Sequence, residues 1–310
     1  MEQAILSGLQ GLINGFLHLD WRSVVMIIVG FVLLWLGIKK DCEPLLLVPI
    51  GFGCVLTNIP LADLMGAEGF LRVIYDMGIS NELFPLLIFV GIGAMTDFGP
   101  VLASPSTFML GAAGQFGIFL TLALALALGF PQLDAVSIGI IGACDGPTAI
   151  YVTSKFAPHL LGAVSVAAYS YMSLVPVIQP PIMKLLTTRE ERLVRMPYSQ
   201  TPVSKTVRVL FPILVTIIVT LIAPVASPLI ATIMFGNLMR ESGVVDRLVK
   251  SSQDEIANIT TVFLGLTVGA SMVADQFIRW ETLGIMALGL FAFVLDMAGG
   301  ALFGKLLYIM

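Results

Sequence analysis

The sequence predicts an all-α, multi-pass membrane protein with broken transmembrane helices and an internal, inverted repeat whose second copy is incomplete. Three observations lead there. Hydrophobic residues make up 57% of the 310 and charged residues 12%, with a mean hydropathy of +0.98; no soluble domain needs that much apolar surface. A carboxylate, Asp145, lies inside the apolar run Ile138–Tyr151 and is followed at once by Gly146-Pro147. Two stretches about 176 positions apart in the chain look alike.

Composition excludes several classes. A net charge of −4 gives no case for nucleic acid. Cys42, Cys54 and Cys144 are scattered along apolar runs and suggest neither a disulfide frame nor a zinc site. His18 and His159 are too far apart in sequence for a metal cluster and read as interfacial residues.

In chain order, residues 1–20 hold an amphipathic helix over 5–17 that lies at the membrane interface, too short and polar to span. Residues 21–183 form a first membrane half. Val24–Ile38 is its first span, closed by Lys39-Lys40-Asp41, and Leu45–Asn58 is a short apolar run. Residues 60–80 are an extramembrane link, and Leu83–Met95 leads into Thr96-Asp97-Phe98-Gly99-Pro100. Thr107–Phe130 is a full span with one polar intruder, Gln115, and Leu160–Leu186 is a long span. Residues 184–208 carry the densest basic cluster and form a cytoplasmic loop, which leaves the N-terminus outside. Residues 209–310 begin a second half, with apolar runs at Val209–Ala223, Pro228–Asn237, Ile256–Met272 and Leu283–Phe303.

The Ile138–Tyr151 run is the chemical centre. Glycine loosens the backbone and proline removes a donor, so a helix entering at Ile138 breaks beside Asp145 and restarts after Pro147. Non-helical backbone at membrane depth must be buried in protein or line a cavity. A carboxylate there, among freed carbonyls, is how transporters hold a cation. Asp145 supplies charge; Thr148 and the carbonyls around Gly146 supply neutral oxygens of the kind Na⁺ prefers. Other polar residues get plainer readings: Asp97 and Asn237 cap helix ends, Gln115 and Gln179 join spans, and Asp275 pairs with Arg279 on one helix face. Asp296 awaits a partner.

The repeat joins Gly91-Ile-Gly93-Ala94-Met95 and Thr107–Phe116 to Thr267-Val-Gly269-Ala270-Ser-Met272 and Thr282–Phe291. Such repeats, often inverted, build transporters with the ion site where they meet. The second-copy equivalent of Asp145 falls beyond Met310, so a second broken segment is expected to be missing.

Several motifs together resemble one family. They are Gly91–Pro100, Gly142-Ala-Cys-Asp-Gly-Pro-Thr148, Ala167-Ala-Tyr-Ser-Tyr-Met172, Pro176–Met183 and Gly236–Val245. The chain resembles, over nearly its whole length, the β subunit of the sodium-pumping biotin-dependent decarboxylases acting on oxaloacetate, methylmalonyl-CoA or glutaconyl-CoA. The resemblance implies a subunit of a prokaryotic cytoplasmic membrane that decarboxylates carboxybiotin carried by a partner, consumes a proton and exports Na⁺. It implies a biotin-carrying soluble subunit, a small single-span membrane subunit and an oligomeric complex as partners. It places the family's aspartate on Asp145 and its paired tyrosines on Tyr169 and Tyr171. The family's later broken segment finds no match here, in line with the repeat. A buried tyrosine suits protonation of the biotin ureido nitrogen when a nearby cation eases its ionisation. Two residues apart on a helix, the tyrosines face different ways, and Tyr171 is the first choice. The competing reading is a secondary sodium or sodium/proton transporter without an enzymatic role; a third is a non-catalytic scaffold.

Overall fold

A computed structural model describes residues 14–194 and 203–309, and these are helices and connecting turns without strands. The helices are α1 (Trp21–Lys39), α2 (Pro44–Thr57), α3 (Phe70–Gly78), α4 (Leu83–Met95), α5 (Gly99–Ala103), α6 (Ser106–Gly114), α7 (Phe116–Ala127), α8 (Gln132–Gly139), α9 (Gly146–Phe156), α10 (Leu161–Leu186), α11 (Arg189–Leu193), α12 (Lys205–Ile222), α13 (Ser227–Ser242), α14 (Asp246–Ser251), α15 (Ala257–Ala270), α16 (Ala274–Phe277) and α17 (Trp280–Ile309). Four helical stretches are long and apolar enough to cross a membrane, or six if each of two bent pairs counts as one span. The interfacial helix expected over 5–17 lies, up to residue 13, outside the described residues, as does the part of the basic loop over 195–202.

Several elements differ from expectation, each for a local reason. The 60–80 link contains α3, whose buried Leu71, Ile74 and Gly78 fall on one face. The span expected over Thr107–Phe130 is found over Thr107–Ala127, with its helical hydrogen bonding interrupted at Gln115 between α6 and α7. Helix α10 bends by 67° between Met172 and Val177, in a stretch that carries Pro176, a residue that removes a helical donor.

Polar contacts sort the helix ends into two layers. At one, Arg22 pairs with Asp275 at 3.0 Å, Lys155 with Glu82 at 3.2 Å, and His159 approaches Asp134 at 3.3 Å. At the other, Arg208 pairs with Glu241 at 2.7 Å and Lys305 with Glu191 at 3.1 Å. The second layer holds the basic segment, the side that the positive charge leads one to expect in the cytoplasm. Asp275 was expected to pair with Arg279; its carboxylate instead meets Arg22, and Arg279 donates to the Asp275 backbone carbonyl.

The core is a pair of glycine-mediated crossings. Helix α4 packs on α13 and α2 on α15 so closely that a Cβ on Gly93 would lie 1.9 Å from the Ile233 carbonyl oxygen, and one on Gly236 2.1 Å from that of Val90. The other crossing has the same contacts: Gly269 at 2.0 Å from the Ile50 carbonyl oxygen and Gly53 at 2.1 Å from that of Leu266. Residues Gly93 and Gly269 belong to the two similar stretches of sequence. Any side chain at these four positions would force the backbones apart. Close approach through small residues is how helices gain packing where lipid competes equally for apolar side chains.

Candidate ion and proton-transfer site

The Asp145 segment is a re-entrant hairpin. Helix α8 enters from the layer of the His159–Asp134 contact, tightens into a 3₁₀ turn over Ile140–Ala143, breaks at Cys144–Asp145, and returns as α9. His159, just beyond α9, approaches Asp134 in the first turn of α8, so both ends lie in one layer. The break lies where the sequence places it, but the helix starts earlier, at Gln132, and resumes at Gly146.

The reversal rests on one unusual residue. Cys144 adopts the left-handed conformation at φ 54°, and Asp145 is extended at φ −127°, ψ 104°. A non-glycine residue pays about 1–2 kcal/mol there. The other described non-glycine residues with positive φ are Asp41, Glu43, Leu61, Asp63 and Glu82, all in connecting segments. Residues strained in this way cluster at functional sites in proteins generally.

Four of the expected site residues meet at this tip. Asp145 precedes α9, and the Thr148 hydroxyl donates to its carboxylate. Gly146 faces the ring of Tyr169: a Cβ there would lie 2.1 Å from the ring edge and 2.6 Å from the phenolic oxygen. Glycine is therefore required for the tyrosine to reach the break. Tyr169 is fully buried, and its hydroxyl has no hydrogen-bond partner among the described residues. Buried polar atoms are usually paired; among the described residues Tyr169 shares its unpaired state with Tyr151, Thr121, Thr153 and Ser165. Tyr171 is placed differently. Its hydroxyl donates to the Met286 carbonyl at 2.6 Å, and its ring tilts against Phe293 at 6.2 Å, so it ties α10 to α17.

The residues present suit Na⁺, a hard cation served by oxygen: the Asp145 carboxylate, the Thr148 hydroxyl and backbone carbonyls of the break. Among the described residues no group of three or more His, Cys, Asp and Glu side chains is arranged to hold a metal, and one carboxylate among neutral oxygens suits a monovalent ion.

Sequence reasoning underread two other groups. Asp296 accepts the Gly117 backbone N–H at 3.0 Å, bridging α17 to the start of α7 just after the interruption at Gln115. Asn237, Arg240 and Gln253 donate to the carbonyls of Thr96, Met95 and Ala94 at 2.9, 2.9 and 2.7 Å, sealing the end of α4. Asp97, read as a cap, accepts the Gly99 N–H at 2.9 Å. Asn58 does for the end of α15 what Asn237 does for α4, bonding the Met272 carbonyl and the Ala274 N–H. The available signal was polar side chains inside otherwise apolar runs; their distant partners left no trace in local sequence.

A multi-pass helical fold with a carboxylate at the tip of a broken hairpin defines a membrane ion-translocating subunit. The chain belongs to the family of the Na⁺-transporting oxaloacetate decarboxylase beta subunit, whose match covers residues 22–310. It is 50% identical over 307 residues to the methylmalonyl-CoA decarboxylase subunit beta of Veillonella parvula, covering 98% of this chain and 81% of that protein. It is 50% identical over 294 residues to the glutaconyl-CoA decarboxylase subunit beta of Acidaminococcus fermentans, covering 95% and 78%. To the oxaloacetate decarboxylase beta chain of Klebsiella pneumoniae it is 46% identical over 362 aligned positions, covering 97% and 83%. The expectation that part of the family chain is missing finds no support in the family match. The protein is thus a multi-pass bacterial membrane subunit of a sodium-pumping decarboxylase.

Proposed function

We propose that this subunit couples decarboxylation of carboxybiotin, presented by a biotin-carrying soluble partner, to export of Na⁺. Asp145, Thr148 and the backbone at Gly146 hold the ion, and Tyr169 is the proton donor. Loss of CO₂ from N-carboxybiotin leaves a ureido nitrogen that must take up a proton. Tyr169 supplies it, because its hydroxyl is buried beside the break and free of other partners. Na⁺ at Asp145 stabilises the resulting phenolate. When Na⁺ leaves, one proton enters by way of Asp145 and passes to the phenolate, which restores the phenol and leaves the carboxylate ionised for the next Na⁺. Moving one charge outward costs about 2.3 kcal/mol per 100 mV, and this exchange ties that cost to CO₂ release. Tyr171 positions α10 against α17 and transfers no proton. The complex includes a small single-span membrane subunit and is an oligomer. Which acid feeds it is set by the soluble partner.

The observation that carries this reading is the unpartnered Tyr169 hydroxyl lying on Gly146, next to Asp145. The test is decarboxylation of free carboxybiotin by the full complex. Asp145→Asn is expected to abolish the Na⁺-dependent reaction, and Asp145→Glu to retain a little. Normal Na⁺ stimulation in the Asn variant overturns the assignment.

A further inference from the structure

A second carboxylate lies on the approach to this site from the layer of the basic segment. Between α10 and α17 is a cavity of about 480 Å³ lined by Gln179, Met183, Thr187, Glu191, Asp296 and Lys305, among others. Its mouth carries the Glu191–Lys305 pair at 3.1 Å, in that layer. These two charges cancel. Asp296, only 8% exposed, then gives the cavity an unbalanced negative charge, and no ion pair to it occurs among the described residues. One Asp296 oxygen accepts the Gly117 N–H at 3.0 Å. The other lies toward Gly114, where even an added Cβ would come no nearer than 3.9 Å. One helical turn before Asp296, Ala292 packs against Gly142, two residues from the tip of the hairpin.

We propose that this cavity is the cytoplasmic entry for Na⁺, and that Asp296 is a first, loose binding site from which the ion passes to Asp145. The inference rests on the reading that the subunit exports Na⁺. An unpaired carboxylate in a narrow, low-dielectric cavity concentrates cations. The backbone donor at the start of α7 offsets part of its charge, so the ion is held weakly enough to move on. A cavity of this size lets Na⁺ keep part of its hydration until it reaches the oxygens at the break.

The test uses the reconstituted full complex. Asn at 296 keeps an acceptor oxygen for the Gly117 N–H, so Asp296→Asn removes charge with little change in packing. The Na⁺ concentration for half-maximal decarboxylation should rise about tenfold or more, while the rate at saturating Na⁺ is retained, the signature of lost ground-state binding. In a parallel experiment, Ala301→Cys on the cavity wall should react with a membrane-impermeant thiol reagent from the cytoplasmic side only, and Na⁺ should slow that reaction relative to a choline salt. An unchanged half-saturation in Asp296→Asn overturns the proposal, and so does labelling of Ala301→Cys that is confined to the outer side or indifferent to Na⁺. The Asp145→Asn complex run alongside separates the two ideas: persistent Na⁺ stimulation there sinks the export reading itself, whereas loss of it together with an unchanged Asp296→Asn sinks only the entry site.

Discussion

The end of α4 and the break between α8 and α9 face the same physical problem and solve it differently. A helix end leaves its last carbonyls bare, and each one buried without a partner costs about 1–3 kcal/mol. After α4, three consecutive carbonyls receive three side chains from other segments: Gln253, Arg240 and Asn237. Arg208, Arg240, Asp97 and Glu241 then form a charged network around that end. The carbonyls of that break are covered, while the Asn237 side-chain oxygen has no partner among the described residues. At Cys144–Asp145 the side-chain contribution is local, from Thr148 to Asp145, and a buried donor against Gly146, the Tyr169 hydroxyl, is unpaired. The difference teaches that a break alone does not make a site; a break whose polar groups have been left for a ligand does.

The sharpest way to break this comparison is to change the two tyrosines of one helix. Tyr169→Phe removes the free hydroxyl and should slow decarboxylation by about a hundredfold or more, the usual weight of a proton donor. Tyr171→Phe removes a structural hydrogen bond, should cost about 1 kcal/mol of stability, and should leave the rate nearly unchanged. A rate assay with a thermal melt of each complex checks both; the reverse order of effects would exchange the roles.

Next in size is the sealed break. Asn237→Ala leaves the buried Thr96 carbonyl without its donor and should cost about 1–3 kcal/mol, read as a lower melting temperature in detergent, with activity per folded complex retained. Loss of Na⁺ dependence in this variant would mean that the sealed break also serves the ion. The smallest effect is at the strained tip. Cys144→Gly relieves a left-handed non-glycine residue and should stabilise the protein by up to about 1 kcal/mol, whereas β-branched Cys144→Val should destabilise it. Equal melting temperatures for the two variants would argue that the tip relaxes freely.

How much of this could be read from sequence follows from the range of the forces involved. The break at Asp145 was legible because Gly146-Pro147 acts on its own neighbours. The apolar spans were legible because bilayer thickness sets their length. The restart at Gly146 instead of after Pro147 was not foreseen, although proline is well tolerated in the first helical turn. Nor was the hairpin's return to the side it entered from, which depends on where α9 ends relative to α8. The likeness between the segments around Gly93 and Gly269 was visible as letters. Its physical content, two backbone crossings that admit no side chain, was not. Asn58, Asn237 and Asp296 each reach a partner more than a hundred residues away, and no local pattern reveals such a pair. The choice between Tyr169 and Tyr171 was open for the same reason: helical spacing says that they diverge, but only the neighbours, Gly146 and Met286, say toward what.

The most direct test of the central claim is the uptake of radioactive Na⁺ by proteoliposomes containing the full complex, driven by decarboxylation, compared between Asp145→Asn and Asn237→Ala. The account predicts no uptake by the first and, per folded complex, wild-type uptake by the second. Uptake by the Asp145→Asn complex at the wild-type rate would contradict it.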